Sequence, residues 1–246
     1  MISTVVQCVL FLFAIYCYHA WRNRRAWQLL SQLPGPRDLP LIGSACIVAS
    51  ARTGFIYAGH ETSAITISNT LLLLAMHPHV QERAVAEIRE NCGTFGEDIS
   101  YETLQQLVYL EMVLKESLRL FPIAPIIARQ TTQEIALGKY ILPVGVDVFI
   151  NIFSIHRNST YWGEDADQFR PERFATTYDR SAYLPFSAGM RNCMGGQYAM
   201  ISMKIMLIKI LTSYRLKTDL KINDLSMKYV LTMKIGNGYM VRLTRR

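Results

Sequence analysis

The run Phe186-Ser187-Ala188-Gly189-Met190-Arg191-Asn192-Cys193-Met194-Gly195 carries the plainest chemistry in the chain. A glycine-turned loop delivers Cys193 to the start of an apolar helix, expected from Met194 to about Tyr214 and expected to be buried. Amides left free in a first helical turn, with the positive end of the helix dipole, favour thiolate over thiol. Arg191 supplies a fixed positive charge for an anion nearby. Gly195 omits a side chain where something flat and large approaches. A lone cysteine in this setting would read as an ordinary helix cap, but the full spacing points to a working thiolate.

Two further clusters have chemical content. Glu116-Ser117-Leu118-Arg119 sets a carboxylate and a guanidinium one helical turn apart on one face. Alone, such a pair reads as a surface salt bridge of small worth. Ala58-Gly59-His60-Glu61-Thr62-Ser63 joins two residues that leave space to a threonine able to bond a carbonyl one turn earlier, so a helix there can open locally. By itself the cluster reads as packing or capping. The cysteines Cys8, Cys17, Cys46, Cys92 and Cys193 show no CxxC pairing and no regular spacing, against a disulfide framework or structural zinc site.

The elements that must position these groups follow from the pattern. A helix is expected from near Phe55 to Met76, and a second from Pro78 to about Asn91, since proline is tolerated in a first turn. A third runs from about Tyr101 to Leu120 and stops before Pro122. Short strands are expected at Ile126-Ile127, Ile135 to Leu137, Tyr140 to Leu142 and Val146 to Ile152, punctuated by Gly138 and Pro143-Val144-Gly145. After an irregular, aromatic-rich stretch and the last helix, a β-rich tail ends in Tyr239-Met240-Val241.

Composition bounds the class. Half of the residues are hydrophobic and 18% are charged, which excludes a disordered chain. The net charge of +7 suits anionic lipid or an acidic protein partner. No basic run is interleaved with aromatics, so no nucleic acid partner is expected. Ile2 to Trp21 holds no charged residue and has the length of a membrane-crossing helix; Arg22, Arg24 and Arg25 follow it. That order of charge reads as an uncleaved anchor with the remainder on the cytoplasmic side. Leu33-Pro34-Gly35-Pro36, with Pro40, makes a stiff, extended connector.

The spacing of Phe186, Gly189, Arg191, Cys193, Gly195 and Ala199 resembles the haem loop of the cytochrome P450 family. The resemblance implies haem b with Cys193 as axial thiolate and metal ligand, Arg191 on a propionate, and Phe186 beside the sulphur. Gly189 and Gly195 complete the cofactor-binding loop. Glu116 and Arg119 resemble the family's E-x-x-R motif, which implies an ion-pair network with Arg173 of Pro171-Glu172-Arg173-Phe174 that supports the loop without doing chemistry. Arg129 falls at a family position that contacts a propionate; a solvated arginine at a strand edge is the equal alternative. Ala58 to Ser63 resembles the oxygen-binding groove of the family's central helix, which implies Glu61 and Thr62 as the catalytic pair delivering protons during dioxygen reduction.

The fold so implied is mainly α with small β-sheets, the C-terminal half of the cytochrome P450 fold plus an N-terminal transmembrane helix. Its expected parts are an anchor over 1–21, a basic flank, proline hinge and junction over 22–54, and a partial haem domain over 55–246. Between hinge and central helix stand only Ser44 to Gly54, where the family carries helices, most of a sheet and the substrate-recognition loops. The implied activity is insertion of one oxygen atom from dioxygen into an apolar small molecule at the endoplasmic reticulum membrane. Electrons would come from NADPH through NADPH–cytochrome P450 reductase docked on a basic proximal face. The alternatives are a non-catalytic shortened product and a membrane-tethered protein that holds the reductase through Lys204 and Lys209.

Overall fold

The computed structural model describes residues 51–92 and 99–246, with side chains from residue 58 onward. The expected anchor, the proline connector and Cys8, Cys17 and Cys46 lie outside the described residues. Among the described residues, no helix is long and apolar enough to cross a membrane.

Helix α1 (Ala51–Met76) ends in the apolar run Leu71 to Met76, and Leu72, Leu73, Leu74 and Ala75 are buried there. His77 closes it, its amide bonding to the Leu73 carbonyl, and Pro78 opens α2 (Pro78–Asn91). Along α2, Val80, Ala84, Val85 and Ile88 recur at helical spacing and face the core. Gln81 is buried among them but satisfied: it donates to the Leu74 and Leu216 carbonyls and accepts from the Leu216 amide.

The expected single helix over 101–120 is two. Helix α3 (Tyr101–Gln106) is capped by Ser100, and α4 (Val108–Leu120) begins after Leu107, whose ψ of 72° breaks the path. The break has a tertiary cause. Glu87 of α2 accepts the Tyr109 and Leu110 amides at 2.6 and 2.8 Å, so its carboxylate caps α4 from outside.

Four short antiparallel ladders complete the unit among the described residues. Strand β1 (Ile126–Gln130) pairs with β4 (Asp147–Asn151), and β2 (Ile135–Leu137) with β3 (Tyr140–Leu142) across Gly138 at φ +59°. Single turns α5 (Ile152–Ile155) and α6 (Ser159–Trp162) follow β4. The last long helix, α7 (Gly196–Ser213), starts two residues later than expected. Its burial is one-sided: Met203, Leu207 and Leu211 lie inside, while Tyr198 and Met206 are exposed. Strand β5 (Tyr214–Lys217) pairs with β8 (Arg242–Arg245), so the final strand begins just beyond Tyr239 to Val241; β6 (Met227–Tyr229) pairs with β7 (Met233–Ile235).

The core joins the second half of α1 to α2, α4, α7 and β7. A second, aromatic cluster of Trp162, Phe174, Tyr178 and Tyr183 packs at centroid distances of 4.9–6.2 Å in mostly edge-to-face pairs. It sits beside the segment that leads into the cysteine loop. The architecture is mainly helical with small sheets.

Candidate cysteine-loop site

The support of the loop begins with a buried ion network. Glu116 and Arg119 of α4 are both fully buried and meet bidentately, Nε to Oε2 at 2.7 Å and Nη2 to Oε1 at 2.8 Å. Nη1 of Arg119 donates to the His156 and Ala166 carbonyls, and Nη2 also reaches the Gln168 carbonyl. All five guanidinium hydrogens are thereby used. Arg173 adds a second cation to Glu116 Oε1 at 3.2 Å and holds the Trp162 carbonyl and Asp165. The triad expected from the sequence is formed, and it is internal rather than superficial.

His156 carries that network toward the loop. Its Nδ1 is 3.1 Å from the Arg119 carbonyl, and its Nε2 accepts the Leu184 amide at 2.8 Å. Burial pushes its pKa down to about 4, helped by Arg119 and Arg157 and opposed by the bond to the Arg119 carbonyl. The ring is therefore neutral at physiological pH. Tyr183 stacks on it, and its hydroxyl donates to the Lys115 carbonyl. No motif in the sequence pointed to His156.

Beyond Leu184 the chain closes on itself. The Cys193 amide donates to the Phe186 carbonyl at 2.9 Å, and the Asn192 amide to Gly189. Two left-handed residues make the turn: Gly189 at φ +77° and Ser187 at +64°. A serine there is strained, and its hydroxyl accepts Nη2 of Arg129 at 3.2 Å. Arg129 of β1 is thus exposed but tied to the loop. Phe186 is half-buried against Gly196, where a Cβ would stand 3.2 Å from the ring. Gly196 is the glycine that lets the Phe186 ring come this close. Gly195 caps α7 at φ −88°.

Cys193 and Arg191 are exposed, and α7 begins just after them. Cys92, the other described cysteine, is half-buried; burial and then Glu87 push its thiol up. Of the two, Cys193 is the one presented for chemistry. Among the described residues, no group of three or more His, Cys, Asp or Glu side chains would hold a bare metal ion.

Helix α1 carries the remaining pair. Thr62 Oγ1 donates to the Ala58 carbonyl at 2.8 Å, the bond expected of it, yet α1 runs unbroken through this point. Thr66 and Thr70 repeat the bond one and two turns on, and Thr70 also reaches Ser117 Oγ of α4. Glu61 is exposed, and a Cβ on Gly59 would meet nothing within 4 Å. Among the described residues, no hydrogen bond joins Glu61 or Thr62 to the cysteine loop.

The Cytochrome P450 family model matches residues 47–241. The chain belongs to the cytochrome P450 family. It is 40% identical over 199 residues to the probable cytochrome P450 313a4 of Drosophila melanogaster, covering 78% of this chain and 40% of that one. The probable cytochrome P450 4ac1 of the same fly is 35% identical over 196 residues, 78% of this chain and 38% of its own length. The cytokinin hydroxylase of Arabidopsis thaliana is 40% identical over 162 residues, 65% of this chain and 31% of the plant protein. The chain therefore spans about two fifths of the fly relatives it matches. The C-terminal half resembles animal members of the family, and the insect relatives accord with that.

Cytochrome P450 proteins are haem-thiolate monooxygenases, and the cysteine loop of this chain fits that cofactor on the thiolate side. The cysteine is exposed, a Cβ on Gly189 would meet nothing within 4 Å, and two exposed arginines, Arg129 and Arg191, stand on or bound to the loop. On its other side the loop borders a cavity of about 430 Å³ lined by Tyr101, Glu111, Lys115, Tyr183, Phe186 and Lys204, among others. Lys204 is not a free surface charge. It is buried, donating to the Leu104 carbonyl and to Glu111, both at 2.8 Å. Burial works to raise the Glu111 pKa, but Lys115 and Lys204 outweigh it and hold the carboxyl below its usual range. Of the two lysines considered for a partner surface, only Lys209 is exposed.

Proposed function

We propose that this chain is a haem-thiolate monooxygenase in which Cys193 would ligate the iron of haem b. The observation that carries this reading is an exposed cysteine closing a loop whose support behind it is buried and satisfied. Thiolate-ligated haem supplies the redox chemistry, because electron donation by sulphur favours O–O cleavage. The residues of the chain bind and tune around it. Arg191 and Arg129 neutralise propionate carboxylates, with Arg129 already oriented by Ser187. Phe186 covers one side of the sulphur, and Gly189 and Gly195 shape the loop and its entry into α7.

Proton supply falls to α1. The exposed carboxylate of Glu61 takes a proton from solvent and passes it toward Thr62 Oγ1. Thr62 spends its own hydrogen on the Ala58 carbonyl, so Oγ1 receives through its lone pairs and must turn to release. One oxygen atom of dioxygen enters an apolar small molecule and the other leaves as water, with electrons from NADPH through NADPH–cytochrome P450 reductase. The proposed organisation is a membrane anchor over 1–21, a basic flank and proline hinge over 22–54, and the haem domain over 55–246. With it goes residence at the endoplasmic reticulum membrane, in contact with lipid, with the catalytic part cytoplasmic.

A second reading, a haem-binding but non-catalytic form, is favoured by one observation. Ala58, Gly59, His60 and Glu61, on the side to which dioxygen chemistry is assigned, are all exposed, so an oxygen species held there would meet water. Turnover separates the two. The haem-loaded chain, with reductase and NADPH, is given labelled dioxygen and lauric acid as an apolar probe. Label in a hydroxylated product that falls in Thr62→Ala supports the monooxygenase. Haem binding with no labelled product supports the non-catalytic form.

A further inference from the structure

His156 has no place in the chemistry assigned above, yet it is completely buried and both ring nitrogens are engaged. Because the Leu184 amide donates to Nε2, that nitrogen carries a lone pair, and Nδ1 bears the proton given to the Arg119 carbonyl. Both partners are backbone groups with fixed roles, which leaves a single tautomer. Arg119 returns the contact through Nη1 to the His156 carbonyl at 2.7 Å. From Leu184 the bonds continue into the loop. Its carbonyl accepts the Ser187 amide, and the neighbouring Phe186 carbonyl accepts the Cys193 amide.

We propose that His156 is a positioning residue for the cysteine loop, tying the Arg119 carbonyl to the Leu184 amide and so setting where Cys193 is presented. Its effect on haem rests on Cys193 being the ligand; its effect on the loop does not. The geometry also separates three substitutions. In His156→Gln the side-chain oxygen reaches the position of Nε2 and accepts from Leu184. The shorter amide of His156→Asn reaches only the position of Nδ1 and serves Arg119 alone. His156→Phe keeps the stack on Tyr183 and loses both bonds.

The full chain and these variants are compared by amide hydrogen exchange, read separately over residues 184–193 and over α2. The reduced, haem-loaded proteins are also exposed to carbon monoxide and their spectra taken. The Phe and Asn variants are expected to speed exchange in 184–193 about tenfold, the size of one net hydrogen bond lost, with α2 unchanged. The Gln variant is expected to restore most of the protection and to keep a thiolate-type band that the other two lose in part. Unchanged protection in the Phe variant overturns the proposal. So does loosening that spreads equally to α2, or a Gln variant no better than Asn. A loosened loop with the band intact overturns the step from Leu184 to Cys193. A parent chain that takes up no haem counts against the reading of Cys193, and exchange then decides the role of His156 alone.

Discussion

Arg119 and Met190 stand at opposite extremes of one machine. Arg119 is fully buried with every guanidinium hydrogen engaged, whereas Met190, in the cysteine loop, is entirely exposed. The contrast extends to their surroundings. Around Arg119 lie Glu116, Arg173 and His156, all buried, with partners drawn from four separate stretches of chain. Around the loop lie Met194 and the arginines that it presents to solvent. Burying a polar group is costly unless its bonds are made, and Glu116, Arg119, Arg173 and His156 all have theirs, so these four side chains form a paired frame behind Cys193. The loop, by contrast, holds apolar and cationic groups in solvent, and under the proposed function these are the groups that haem and its propionates would meet.

Breaking the frame should therefore cost far more than altering the face. Glu116→Ala leaves Arg119 buried and unpaired, and unfolding in denaturant should show a loss of about 3–5 kcal/mol or no folded protein. A loss below about 1 kcal/mol would place the pair outside the frame. Next comes pH. Because His156 is held neutral, the unfolded chain binds more protons between the ordinary pKa of 6.5 and about 4. Its contribution is complete above pH 6.5 and is lost as pH falls toward 4, with Arg119 and Arg157 opposing the added charge. Stability measured across that window should fall by an amount of order 3 kcal/mol more in the parent than in His156→Gln. Parallel curves would show that the ring is not the group responsible.

Smaller effects sharpen the boundary between the two regions. Gly196→Ala sets a methyl 3.2 Å from the Phe186 ring, and a cost of about 1–2 kcal/mol is expected in thermal unfolding. A neutral result would mean that the ring moves freely and does not fix the loop. Arg242 pairs with Asp219 at the surface, so Asp219→Ala should cost less than about 1 kcal/mol, shrinking further in high salt. A larger, salt-independent cost would extend the frame to this edge.

Legibility in the sequence followed the same divide. Periodicity placed α2 and the turn at Pro78, and glycine punctuation placed the β2–β3 hairpin, because these depend on neighbours in the chain. The division of α3 from α4 depends on Glu87, a residue from another helix, and no local pattern contains it. The cysteine motif was readable as a string. Its mounting was not, since His156 and Leu184 meet across 28 positions with no recurring spacing to mark them. Gly196 was hidden beside Gly195, and only the packing of Phe186 distinguishes them. Lys204 looked like surface charge on an apolar helix until Leu104 and Glu111 were seen to receive it.

The most direct test of the central claim is the spectrum of the haem-loaded, reduced chain under carbon monoxide, taken beside Cys193→Ala. Because Cys193 is exposed, the substitution should move stability by less than about 0.5 kcal/mol, so any spectral change reports ligation rather than unfolding. A strongly red-shifted Soret band is expected in the parent and none in the variant. A band that is absent from both, or indifferent to Cys193, would contradict it.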